Sequence, residues 1–152
     1  MSYHLEDTVE LVKYCQTARG LKTGSGVSLG DAENIRIDSE KLKEAIEERK
    51  PEDVILYSCE TVFDALSALH FMGYDTAEFN SVFRDYVDYK FAKINDAEAT
   101  APDFRYDIPT ECVFSGEEDK ETVKGPYHKD NLPDFDDLIG NVIAKRKEAE
   151  SE

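Results

Sequence analysis

Two acids stand four residues apart in an otherwise apolar stretch, Glu60 and Asp64 within "EDVILYSCETVFDALSALHFM". On a helix that spacing puts both on one face. Carboxylates inside an apolar helix must meet a cation, a hydrogen-bond network or water. A second acidic set precedes them in "DSEKLKEAIEERK", where Asp38, Glu44 and Glu47 share a helix. If the two helices fold back on one another at Lys50-Pro51, their acids face each other. Carboxylates from two helices can hold Mg²⁺, which takes oxygen ligands and keeps sites for water and phosphate oxygens. Such an ion activates water and neutralises charge on a phosphoryl group. The plainer alternative leaves Glu44 and Glu47 solvated and pairs Glu60 and Asp64 with lysines or a partner.

Other chemistries find little support. The three cysteines, Cys15, Cys59 and Cys112, form no CxxC pair, so neither zinc nor a disulfide framework is signalled. His4, His70 and His128 are dispersed; His70 reads as a core residue, His128 as solvent-exposed, and Cys59 as a small buried hydrophobe. Neither GxSxG nor HExxH occurs. Gly24, Gly26 and Gly30 spell GxGxxxG. A dinucleotide loop needs a strand before it, and here a helix precedes.

The elements that must position these acids follow from periodicity. Residues 5–18 read as a short amphipathic helix through Leu5, Val9 and Val12. Residues 20–34 hold four of the eight glycines and read as a flexible linker. Residues 38–50 form a helix with Leu42, Ala45 and Ile46 inward. Residues 52–72 follow, apolar nearly all round, which predicts a buried helix entered through Pro51 and ended by Gly73. Residues 76–93 carry Phe79, Val82, Phe83, Tyr86 and Tyr89 at helical spacing, a core or subunit-interface stripe. Residues 95–132 lose periodicity and form a long acidic loop, with "TECVFS" as a short candidate strand. Residues 134–149 read as a last helix with Phe135, Leu138, Ile139, Val142 and Ile143 buried. The expectation is an all-α single domain over 1–152, a bundle of four to five helices with one long irregular loop.

The chain has 152 residues and a net charge of −16. The last third, residues 96–152, carries −9 of it. Such a field disfavours direct contact with nucleic acid or anionic membranes and favours a basic partner or a divalent cation. The start, "MSYHLEDTVE", lacks the basic and apolar regions of a signal peptide. No apolar run is expected to span a membrane, and the reduced-cysteine pattern fits a cytoplasmic setting.

The order of these features resembles the all-α nucleoside triphosphate pyrophosphohydrolases, the MazG-like and phosphoribosyl-ATP pyrophosphohydrolase-like proteins. A Glu-rich helix ending "EAI" leads through a break to an acidic helix ending at Met72-Gly73-Tyr74-Asp75. An amphipathic helix with a late lysine comes next. The segment "VKGPYHKDNLPDFDDL" is similar to the lysine-rich "KGPNY…PPDL" endings of phage and bacterial versions. The likeness covers about residues 36–139. It implies Mg²⁺-dependent cleavage of a nucleotide to its monophosphate and pyrophosphate, by a protein that is dimeric or larger. Asp38, Glu60 and Asp64 would hold the ion, with Glu60 and Asp64 as catalytic acids. Lys90, Lys124 and Tyr127 would contact the nucleotide. The same alignment puts Lys41 and Tyr57 where the family has carboxylates, and Val87 near an expected asparagine. A shifted register restores an ExxE pair as Glu44 and Glu47 but breaks the match at "EAI". The competing expectation is an acidic binding protein or decoy on a catalytically degenerate scaffold, occupying a basic, nucleic-acid-binding partner.

Overall fold

The computed structural model describes residues 4–21, 24–74, 76–96, 98–101, 128–130 and 133–151. The described residues are all-α and form five helices: α1 Leu5–Thr17, α2 Ser25–Glu47, α3 Pro51–Phe71, α4 Thr76–Asn95 and α5 Phe135–Glu150. Among the described residues there is no strand. The candidate strand "TECVFS" lies outside them.

The helix boundaries follow local chemistry. Pro51 begins α3, where a missing N–H costs nothing. At the end of α3, Gly73 takes φ 80°, and the Tyr74 N–H donates to the Leu69 carbonyl at 3.1 Å. This is the six-to-one bond of a Schellman cap. The end of α2 uses the same cap: the Lys50 N–H donates to Ala45 O at 2.9 Å. There the left-handed position falls to Arg49, at φ 57°, a conformation that costs a side-chain-bearing residue about 1 kcal/mol. The turn between α2 and α3 is therefore tight, and the two helices run antiparallel.

The α2–α3 hairpin is the most extensive interhelical contact in the molecule. On α2, the residues turned inward are Ser28, Asp31, Ile35, Asp38, Leu42 and Ala45. Their alternating steps of three and four are the spacing of a coiled-coil seam. The linker expected over 20–34 is thus helical from Ser25 onward. Gly26 and Gly30 lie in the helix, and nothing lies within 4 Å of where a Cβ at Gly30 would stand.

A second packing centre joins α1 and α5 through Leu11, Tyr14, Leu138 and Val142, with Ile139 against them. Asp7, 1% exposed, accepts from Arg146 Nε at 2.9 Å and from the His4 backbone N–H at 2.7 Å. Phe71, fully buried, ties the parts together: its carbonyl accepts from Gly24 N–H at 2.8 Å, and the Arg19 guanidinium lies over its ring.

Three expectations are corrected here. The helix expected to be buried, α3, buries only Asp64, Ser67 and Phe71, and leaves Ile55, Leu56 and Val62 exposed. Its periodicity marked an apolar surface, and such a surface serves an interface as well as a core. Cys59 is exposed on the same helix. His128, expected in solvent, is fully buried; its Nδ1 lies 3.2 Å from the Asp130 backbone N–H, and the neighbouring Lys129 N–H donates to Ala18 O. By length and mean hydropathy alone α3 also falls in the range of a membrane span. What it buries is Asp64 and Ser67, polar and turned toward α2, and the apolar Phe71.

Candidate metal centre

The hairpin seam is polar where a seam is ordinarily apolar. Asp38 comes from α2, and Glu60 and Asp64 from α3. Each offers a carboxylate oxygen, and these atoms all lie within 4.8 Å of one another. Asp38 and Asp64 are buried, and Glu60 is open to solvent. The antiparallel hairpin brings them together: Asp38 lies about two and a half turns before the end of α2, Glu60 lies the matching distance into α3, and Asp64 follows one turn later.

A fourth acid stands behind them. Asp31, one heptad before Asp38 on α2, is 6% exposed. Its Oδ2 accepts from Ser67 Oγ at 2.7 Å, and Ser67 Oγ in turn accepts from Gln16 Nε2 at 2.6 Å. This buried chain runs from α1 through α3 to α2 and fixes the Asp31 carboxylate. Asp31 was missed at the sequence level because its glycine-rich surroundings read as linker. The signal that finds it is the heptad step from Asp31 to Asp38.

The cluster carries more negative charge than its surroundings neutralise. Asp38 Oδ2 is buried and has no hydrogen-bond donor. Burial, then a hydrogen bond with Asp38 and the charges of Asp38, Asp31 and Glu60, push the Asp64 carboxyl up to about 7. Two arrangements relieve such a cluster: a proton shared between Asp38 and Asp64, or a cation among the carboxylates. The orphaned Asp38 oxygen and an all-oxygen donor set from two helices suit a hard divalent cation.

The remaining expected residues divide. Lys90 is exposed on α4, 5.9 Å from the Tyr86 ring centroid, and α4 packs chiefly on α1. Lys124 and Tyr127 lie outside the described residues. Glu44 and Glu47, the pair of the shifted register, are both exposed, and Glu47 pairs with Lys43 at 3.9 Å. The two positions where carboxylates were expected meet each other: Lys41 Nζ lies 5.6 Å from the centre of the Tyr57 ring. They open on a recess of about 190 Å³ that Glu44, Glu48, Lys50 and Asp53 also line.

A recess of about 410 Å³ between α1, α4 and α5 shares no lining residue with the carboxylate cluster. Among its lining residues Asp7 pairs with Arg146, and Glu10 stands 3.9 Å from Lys145 Nζ with its Oε2 buried and without a hydrogen-bond donor. His4, Glu6 and Glu150 form a second acidic grouping, at the exposed ends of α1 and α5.

Against family models, curated proteins and solved structures, the chain finds no match.

Proposed function

We propose that this chain is a divalent-cation-dependent, nucleotide pyrophosphohydrolase-like protein, whose ion is held by Asp38, Glu60 and Asp64. The observation that carries the reading is the buried, donorless Asp38 Oδ2 beside two further carboxylates from the facing helix. A bound Mg²⁺ would polarise a phosphoryl oxygen and make a bound water more acidic. The protein's own part is division of labour. Asp38 and Asp64 are sealed in the seam and fix position. Glu60 faces solvent and is the carboxylate that an incoming water or phosphate meets first. Asp31, held by Ser67, adds negative potential from behind and favours a cation over a vacant site. The likeness to MazG-like proteins in the order of sequence features supports the nucleotide as ligand.

The same reading makes the protein a homo-oligomer. Ile55, Leu56 and Val62 on α3, and Phe83, Val87, Phe91 and Ile94 on α4, are 41–82% exposed in the single chain. An apolar surface of that extent marks an interaction site. A partner copy would also be a source for Lys90 near the carboxylates.

A second reading, an acidic binding protein on the same scaffold, rests on one observation: Lys41 and Tyr57 stand where the resemblance calls for ligands. Calorimetry with Mg²⁺, together with pyrophosphate release from a full nucleotide panel, separates the two. The enzyme reading expects an ion-dependent signal that Glu60→Ala abolishes. Ion binding without turnover of any nucleotide would leave the binding protein.

A further inference from the structure

The groove beside the carboxylates holds a cation whose environment sets it apart from its neighbours. Arg36 on α2 pairs with Glu33 and Glu40, Lys43 with Glu47, and Lys50 at the turn with Glu48. Lys41 makes no ion pair among the described residues, although Glu40 and Glu44 are near it in sequence. Its ammonium is directed instead across the hairpin, over the face of Tyr57. An aromatic ring attracts a cation while leaving its hydrogen-bond donors unspent.

The position matters as much as the environment. Lys41 is three residues after Asp38 on α2, and Tyr57 three before Glu60 on α3. The pair therefore forms the next layer of the same seam, about 4.5 Å along the helix. A di- or triphosphate chain is long enough to reach across that step. The recess of about 190 Å³ opens at this layer. One divalent ion among three carboxylates leaves the site with a net negative charge. A polyphosphate bound there adds more, and needs a second cation one step along. Metal centres that act on phosphate chains commonly supply a second ion. Here a lysine stands one turn away.

We propose that Lys41, poised over Tyr57, is the fixed cation that binds the phosphate chain of a di- or triphosphate ligand beside a single divalent ion. This rests on the metal reading above and specifies it: the ligand is a polyphosphate, its chain runs along the α2–α3 groove toward the turn, and one ion suffices. Tyr57 is a positioning residue that holds the ammonium above the groove and away from the surrounding carboxylates.

The test is calorimetric titration of the full chain, first with Mg²⁺ alone and then with magnesium-saturated inorganic tripolyphosphate. Wild type is expected to bind one Mg²⁺ per chain. Lys41→Ala should weaken tripolyphosphate binding by about tenfold or more, the scale of one charge-assisted hydrogen bond. It should leave Mg²⁺ binding intact or tighter. Lys43→Ala, one exposed and paired lysine removed, should change tripolyphosphate affinity by less than about twofold. Circular dichroism on each variant confirms the helix content. Tripolyphosphate affinity unchanged in Lys41→Ala overturns the inference and leaves the metal reading standing. So does a wild-type stoichiometry of two Mg²⁺. Wild type that binds no Mg²⁺ overturns both.

Discussion

The α1–α5 contact and the α2–α3 hairpin both bury acids, and they treat them in opposite ways. In the first, Asp7 is buried with its carboxylate satisfied twice, by Arg146 and by the His4 N–H. In the second, Asp38 and Asp64 face each other across the seam, and one oxygen of Asp38 has no donor. A buried acid with its cation built in is part of the structure. A buried acid without one is a candidate site, since the missing charge is left for a shared proton or a cation to supply. The recess of about 410 Å³ lies instead with acids that have a cation beside them: Asp7 with Arg146, and Glu10, whose Oε2 also lacks a hydrogen-bond donor, with Lys145 at 3.9 Å.

The sharpest way to break this comparison is to weaken each side in turn. Leu138, 3% exposed in the α1–α5 core, should cost about 2–5 kcal/mol when cut to alanine, read from urea unfolding. A loss below about 1 kcal/mol would mean that this contact is not the structural half of the molecule.

Next in size is a pH effect at the junction of α1, α3 and α4. Burial, and then the charge of Lys13, hold His70 down to about 4. Tyr74, Phe79 and Val9 complete its surroundings. The unfolded chain takes up a proton as pH falls through about 6.5, and the folded chain does so only near 4. The stabilisation is therefore complete above about 6.5 and is lost as pH falls toward 4, by on the order of 2 kcal/mol. His70→Leu should shrink the stability difference between pH 7 and pH 4.5. An identical pH dependence in the two proteins would place the sensitivity elsewhere.

The hairpin should respond with the opposite sign to mutation. Asp38→Asn gives Asp64 a donor in place of a facing charge. Without divalent ions it should stabilise the protein by about 1 kcal/mol. With Mg²⁺ the wild type should gain thermal stability and the variant should not. A variant less stable than wild type in the absence of ions would show that the Asp38 charge is already compensated.

The smallest expected change is at the turn. Arg49→Gly relieves the left-handed conformation at the end of α2 and should add about 0.5–1 kcal/mol. The gain should appear in the melting temperature, with ion binding unaltered.

Much of this was legible in the sequence. Periodicity and the Pro51 and Gly73 signals located α3 and α4 almost to the residue. Glu60 and Asp64 stood out because acids four apart in an apolar helix have few plain explanations. Asp38 followed from the order of features. Asp31 did not, since glycines at positions 26 and 30 argued against a helix that tertiary packing nonetheless imposes. The exposure of α3 was also hidden: an apolar face reads alike whether its cover comes from the same chain or from another. His128 was misread because its loop position suggested solvent. The pairing of its neighbour Lys129 with Ala18 O is a contact between distant parts of the chain, invisible to local pattern.

The tight turn at Arg49–Pro51 has a consequence for how the site comes into being. Every carboxylate in the cluster, and the Lys41–Tyr57 layer beside it, belongs to one helical hairpin. Its assembly requires the closure of a short loop rather than the meeting of remote segments, and contacts of that kind form early and quickly in folding. The carboxylate cluster is thereby local in sequence. It is expected to form before the α1–α5 contact, which joins the two ends of the chain, and a divalent ion that binds it would favour the nascent hairpin.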